Sequence, residues 1–182
     1  MRVDYHVHTE FSDDSDYAME QVIKDAITMK LDEICFTDHV DYGVKKDWDE
    51  PGGMIYRKGG GGEPDKMPVA NVDYPVYDKA GTYPFEKLKP LLTEILRTVI
   101  ADGKGIEINT SSQRYGLTDL TPSRDILKLY RELGGRILTI GSDSHKPEHL
   151  GAYIDETKQE LKMLGFKEFC TFDKMKPVYH PL

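Results

Sequence analysis

The chain has 182 residues, 38% of them hydrophobic and 31% charged, with a formal net charge of -8. That length suits one domain with a real core, and the acidic balance argues against nucleic acid, whose phosphates need a basic footprint. No apolar run approaches the roughly 20 residues that span a bilayer. The opening residues go straight into a polar strand, so no signal peptide is expected. Cys35 and Cys170 lie in strand-like runs without metal-type spacing, as buried thiols of a reducing, cytoplasmic compartment would.

Strand and helix patterns alternate along the chain, the signature of a parallel α/β architecture. RVDYHVH reads as the first strand. YAMEQVIKDAITMK follows as a helix, with Ala18, Val22, Ile23, Ala26 and Ile27 on one face. DEICFTDH is a second strand. Residues 43–84 then break the rhythm, carrying many Gly and Pro residues, a four-glycine run at 59–62 and no periodicity. A structureless stretch of that size is uncommon in a compact domain and marks a functional loop, a linker or a spacer.

PFEKLKPLLTEILRTVIADG reads as a long helix with an apolar stripe of Leu88, Leu91, Leu92, Ile95, Leu96 and Val99. Pro90 predicts that the regular helix begins near that residue or kinks there. GKGIEINTS is a strand. SRDILKLYRELGG is a helix capped by Ser123 and stopped by Gly134. RILTIGSDSH is a strand, HLGAYIDETKQELKMLG a helix, and KEFCTF a final strand.

Residues i and i+2 of a strand share a face, so His6 and His8 point the same way at a strand's C-terminal end. The second strand ends in Asp38 and His39, and a later one in Asp143 and His145. Parallel sheets bind ligands at the C-terminal edge of their strands, and three strands here aim imidazoles and carboxylates at one rim. H-x-H alone is commonplace, and SDSH could simply cap the following helix. All three at equivalent strand ends point to a metal centre. Mixed imidazole and carboxylate donors suit Zn, Mn or Fe. Two or more such ions could hold a bridging water and hydrolyse phosphate esters or amides. The strand GIEIN is followed by hydroxyls and Arg114, whose planar fork suits a phosphate. His149 and His180 read as surface or terminal residues.

The segments HVHTEFSDDS, FTDHVDYG, GKGIEINTS, RYGL and TIGSDSHKPEHLGA resemble the polymerase-and-histidinol-phosphatase (PHP) superfamily, in its histidinol-phosphate phosphatase branch. The similarity runs through almost the whole chain. It implies a (β/α)7-type barrel with divalent ions at its C-terminal rim, up to three in the family. It also implies hydrolysis of L-histidinol phosphate to L-histidinol and phosphate, in histidine biosynthesis. Carried over by position, the metal ligands are His6, His8, Asp14 (with Asp13 as the near alternative), His39, Asp143 and His145. Asp143, His145 and Arg114 take catalytic roles, and Arg114 and Ser112 bind substrate. Asp38 would orient His39 or a neighbouring group.

The chain also departs from the family pattern. No histidine stands between His39 and His145, where the family places further ligands and a bridging glutamate. Tyr77 and Asp78 look like the junction of an internal deletion. A (β/α) barrel takes about 200 residues or more, so residues 1–182 are expected to form a single PHP-type domain with about four to five β/α units. Its open sheet edges could be completed by a second copy. Fewer ions than three are then expected, and Glu107 is the only nearby carboxylate that could compensate. The alternative function is an internally deleted relative that survives only as a metal-binding or structural scaffold. A polymerase-associated PHP domain fits less well, because RYGL and the C-terminal tail are specific to the phosphatase branch.

Overall fold

The computed structural model describes residues 1–12, 14–39, 69–70 and 84–182. The irregular segment and the junction at Tyr77–Asp78 lie outside the described residues, apart from the short strand at 69–70 and Pro84, as does Asp13. In chain order the elements are β1 (Val3–Val7), α1 (Met19–Met29), β2 (Glu33–Phe36), β3 (Val69–Ala70), α2 (Phe85–Ala101) and β4 (Gly105–Asn109). They continue with the single turn α3 (Ser111–Arg114), α4 (Arg124–Glu132), β5 (Leu138–Gly141), a 3-10 turn at Pro147–His149, α5 (Ile154–Met163), β6 (Glu168–Asp173) and β7 (Lys176–Pro181).

The alternation in each strand explains its place. Val3 and Tyr5 of β1, Ile106 and Ile108 of β4, and Leu138 and Ile140 of β5 bury together under Leu127 and Tyr130 of α4 and Leu161 of α5. Each fully buried side chain of this kind contributes about 1.5–3 kcal/mol. The intervening residues Asp4, His6, Glu107 and Asn109 face the other way. One face of these strands is thus apolar and fixed to helices, and the other is polar. Ser123 caps α4 by accepting a hydrogen bond from the Ile126 N–H, and Gly134 stops the helix with φ +92°.

β1 pairs in parallel with β2, and β4 pairs in parallel with both β3 and β5. The chain just past β5 joins β1 through a parallel bridge between Val7 and Ser144, with His8 N donating to Ser144 O at 2.8 Å and Ser144 N to His6 O at 3.1 Å. All five parallel strands therefore end at one rim. The strands form two small parallel sheets and an antiparallel hairpin, and no closed barrel is seen among the described residues.

Three details differ from the sequence expectations. α2 starts at Phe85, five residues before Pro90, because the proline removes only one early backbone bond. Its apolar stripe is partly covered: Leu96 is buried, while Leu91 and Ile95 remain exposed among the described residues, as do Ile23 and Ile27 of α1. KEFCTF is not the last strand, since β7 follows it through a tight turn at Lys174 and Met175, both at positive φ. Pro177 and Pro181 argued against a strand there, but β7 is an edge strand of a two-stranded hairpin. No helix of the described residues is long and apolar enough to cross a membrane.

Candidate metal centre

The polar faces of the strands build the site from the bottom upward. Asp4 is fully buried and accepts hydrogen bonds from Ser142 N and Gly151 N, both at 2.8 Å, and from Ser142 Oγ at 2.5 Å. Burial raises its carboxyl above the usual range against the pull of those bonds. One layer up, His6 Nδ1 lies 2.5 Å from Glu107 Oε1. Burial opposes a charge on His6, but the Glu107 bond and the nearby carboxylates outweigh it and push its pKa up to about 9.

At the rim His6 Nε2 and His8 Nε2 lie 2.9 Å apart, and 3.4 and 3.3 Å from Asp143 Oδ1. Burial and the neighbouring imidazoles of His6 and His145 lower the pKa of His8. Partial burial works against a charge on Asp143, yet the bond from His8 and the charges of His6 and His145 hold its carboxyl well below the usual range. Beside this group Asp14 Oδ2 lies 3.0 Å from His145 Nε2 and 3.6 Å from His39 Nε2. The bond from His145 lowers Asp14 to about 2, against its partial burial. The rings of His8 and His145 stack with centroids 4.2 Å apart.

Five of the six residues expected as ligands therefore form two groups that share His8, and His39 stands beside Asp14. His6, His8 and Asp143 could hold one ion, and His8, Asp14 and His145 bring their donor atoms within 4.8 Å of one another as well. His8 can offer only Nε2, because its Nδ1 meets Ser12 Oγ at 3.0 Å. His8 is common to both groups, and His39 stands beside the second, with its Nε2 3.6 Å from Asp14 Oδ2. Three protein ligands with an open position is the pattern of catalytic rather than structural zinc. Imidazole and carboxylate donors without a thiolate fit Zn, Mn or Fe.

Asp38 is linked to His39 through Ser12. It accepts from Thr9 N at 2.6 Å, Thr9 Oγ1 at 2.8 Å and Ser12 Oγ at 2.9 Å. Ser12 Oγ in turn accepts from His39 N at 3.2 Å and meets His8 Nδ1. The carboxylate thus fixes both histidines through one serine, keeping His8 Nε2 turned to the cleft.

The cleft over these groups has a volume of about 830 Å³, and Asn109, Ser111, Arg114 and Tyr115 also line it. Arg114 stands there as expected, yet its guanidinium donates to the carbonyls of Ser142 and Asp143, the latter at 3.0 Å. Ser112 is fully buried and is not part of the cleft wall; its neighbour Ser111 is, because one step along a helical turn rotates the side chain away. His149, expected on the surface, is half-buried and lines the cleft, carried there by the 3-10 turn after the Asp143–His145 segment. His180 lies on the hairpin, bonded to Thr171 Oγ1 at 2.8 Å. Glu107, expected only as a carboxylate that could compensate for missing ligands, bonds His6 Nδ1 instead; its position between Ile106 and Ile108 turns it to the polar face.

A family profile described as the PHP domain matches residues 4–57. A probable histidinol-phosphatase of Thermotoga maritima is 26% identical over 97% of this chain and 97% of its own length. The histidinol-phosphatase of Lactococcus lactis is 35% identical over 50% of this chain, a match that spans 34% of that protein. Among solved structures, the histidinol phosphate phosphatase of Lactococcus lactis, complexed with zinc, L-histidinol and phosphate, superposes with a TM-score of 0.69 and 22% identity, covering 97% of this chain and 98% of that one. That likeness shows a shared fold. With its HVH strand end, its PHP-domain match over residues 4–57 and its similarity along nearly its whole length to a probable histidinol-phosphatase, the chain is similar to PHP-domain proteins of the histidinol-phosphatase kind.

Proposed function

We propose that this protein is a metal-dependent phosphomonoester hydrolase that acts on L-histidinol phosphate. The single observation that carries the reading is the gathering of His6, His8, Asp14, His39, Asp143 and His145 at the rim, each with a donor atom 3.0–3.6 Å from a carboxylate or imidazole of the group. The relatives named as histidinol-phosphatases supply the substrate, and the zinc, histidinol and phosphate of the Lactococcus structure supply the ligand classes.

His6, His8 and Asp143 would hold one divalent ion, and Asp14 and His145, with His8 shared or His39 beside them, another. Ions so bound supply a nucleophilic water at neutral pH and a countercharge for the phosphoryl oxygens. The chain's own part is orientation. Glu107 keeps the His6 Nδ1 proton and leaves Nε2 as the donor, Ser12 does the same for His8, and Ser111 offers a hydroxyl toward the cleft. Asp143 and His145, one from each group, are the residues assigned to the reacting phosphate.

Residues 1–182 form one PHP-type domain in this reading, with four to five β/α units and a barrel that a second copy completes. The alignment with the Thermotoga protein supports the shortening, since it runs over 233 positions against 182 residues here, leaving at least 51 opposite gaps. The exposed Leu91, Ile95, Ile23 and Ile27 support a covering partner. A small phosphorylated substrate, no nucleic acid and a cytoplasmic location complete the proposal.

The test is elemental analysis of protein prepared without chelator, followed by phosphate release from L-histidinol phosphate with added Zn or Mn. Two ions per chain with turnover support the reading. One ion or none, without phosphate release, leaves only the scaffold alternative. Mass in solution decides the dimer: a monomer that turns over substrate would remove the need for a partner.

A further inference from the structure

One buried carboxylate closes the segment that carries Asp143 and His145. Asp4 is fully buried on β1, and its two oxygens reach both ends of residues 142–151. Oδ1 accepts from Ser142 N at 2.8 Å and from His6 N at 3.2 Å. Oδ2 accepts from Ser142 Oγ at 2.5 Å and from Gly151 N at 2.8 Å. Between those ends the chain is held in a tight course. Asp143 has φ +56°, in the left-handed region that a non-glycine residue occupies only when its surroundings hold it there. Ser144 exchanges backbone bonds with His6 and His8.

We propose that Asp4 is a positioning residue for the metal centre: by tying Ser142 and Gly151 to β1, it sets the 142–151 loop so that Asp143 meets His6 and His8, and His145 meets Asp14. The inference rests on the metal-centre reading above. A buried charge is costly unless its bonds are complete, and the partners of Asp4 are three backbone N–H groups and one hydroxyl. An apolar side chain could fill the same space, but it could not accept from two points of the chain nine residues apart. Through Asp4 the backbone of one ligand, His6, and both ends of the loop bearing two others refer to a single group. Asp143 Oδ1 then falls 3.4 and 3.3 Å from the His6 and His8 Nε2 atoms, and His145 Nε2 falls 3.0 Å from Asp14 Oδ2.

Asp4→Asn separates positioning from plain support of the fold. The amide keeps the size of the carboxylate but has one accepting oxygen, so its NH₂ must face either Gly151 N or Ser142 N, and one end of the loop loses its acceptor without a cavity. Metal-free wild type, Asp4→Asn and Ser142→Ala are titrated with Co²⁺, whose visible absorption reports the coordination of bound ions, under conditions where circular dichroism shows each protein folded. The positioning role predicts that Asp4→Asn binds Co²⁺ about 10-fold more weakly or worse, as loss of a group that orients ligands does, with an altered spectrum. Ser142→Ala, which removes only the hydroxyl bond, shifts the same way by less. A role confined to stability lowers the melting temperature and leaves the Co²⁺ affinity and spectrum of the folded variants at wild type; that result overturns the inference. Should Asp4→Asn fail to fold, Ser142→Ala decides by the same criterion. A wild type that takes up no Co²⁺ would sink the metal reading and this inference with it, whereas equal uptake by all the folded proteins sinks the inference alone.

Discussion

Replacing Gly141 with alanine should open the seam between β1 and β5 on which the centre stands. A Cβ at that position would lie 2.2 Å from the His6 Cβ, 2.7 Å from the His6 nitrogen and 3.0 Å from its Cα. Ordinary contacts begin at 3.4 Å, so the strands must part by roughly 1.2 Å, and the nearest atoms are backbone or rigidly attached to it. The bonds that close this seam are 2.8–3.1 Å long and cannot survive such a displacement intact. Overpacking costs about 1–3 kcal/mol and each lost hydrogen bond about 1 kcal/mol. A net destabilisation of about 3 kcal/mol lowers the melting temperature by roughly 6–12 °C for a chain of this size. Because His6 moves with its strand, Co²⁺ affinity of the folded variant should fall as well. Thermal unfolding by circular dichroism and a Co²⁺ titration measure the two effects. A variant that melts within the roughly 2–4 °C equivalent to 1 kcal/mol, and binds Co²⁺ like the wild type, would show that the strands are not in this register.

Asp4→Ala leaves Ser142 N, Ser142 Oγ and Gly151 N without their acceptor in a fully buried place; a loss of about 3 kcal/mol or more follows, read by urea unfolding, and a loss under about 1 kcal/mol would contradict the geometry. With the His6 pKa raised to about 9, its contribution to the stability of the metal-free protein is complete below the unfolded value of about 6.5 and disappears as pH climbs through 9; denaturation midpoints across that window should fall, and a flat or rising profile speaks against it. For the same reason metal uptake near pH 7 must release a proton from His6, so calorimetric titrations in buffers of different ionisation enthalpy should give different apparent heats. Ser123→Ala removes the cap of α4 and should cost about 1 kcal/mol without changing Co²⁺ affinity.

Much of the centre could be read from sequence because its donors sit at strand ends, where a two-residue spacing fixes a shared face. His6 with His8, and Asp143 with His145, needed only that rule. What could not be read was the joinery between distant segments. Asp38 acting on two histidines through Ser12, Glu107 behind His6, and Arg114 turned to the Ser142 and Asp143 carbonyls all depend on side chains 25 to 100 residues apart meeting in three dimensions. The exchange of Ser112 for Ser111 at the cleft wall shows the same limit at close range, since a one-residue step in a short turn depends on where that turn begins. In the fold, alternating patterns located β1, β2, β4 and β5, but β7 was missed because its prolines count against a strand until its edge position is known.

The bridge from Val7 to Ser144 also has a consequence in time. The first strand of the chain can close against the end of β5 only after some 140 residues have been synthesised, and contacts so far apart in sequence form slowly. During synthesis His6 and His8 emerge early and wait for Asp143 and His145. A nascent chain can offer His6, His8, Asp14 and His39, but each group of three donors lacks a member until Asp143 or His145 arrives. The assembled ligand groups come into being in the last stage of folding, so the choice of ion is made by the nearly finished domain rather than by its first segment.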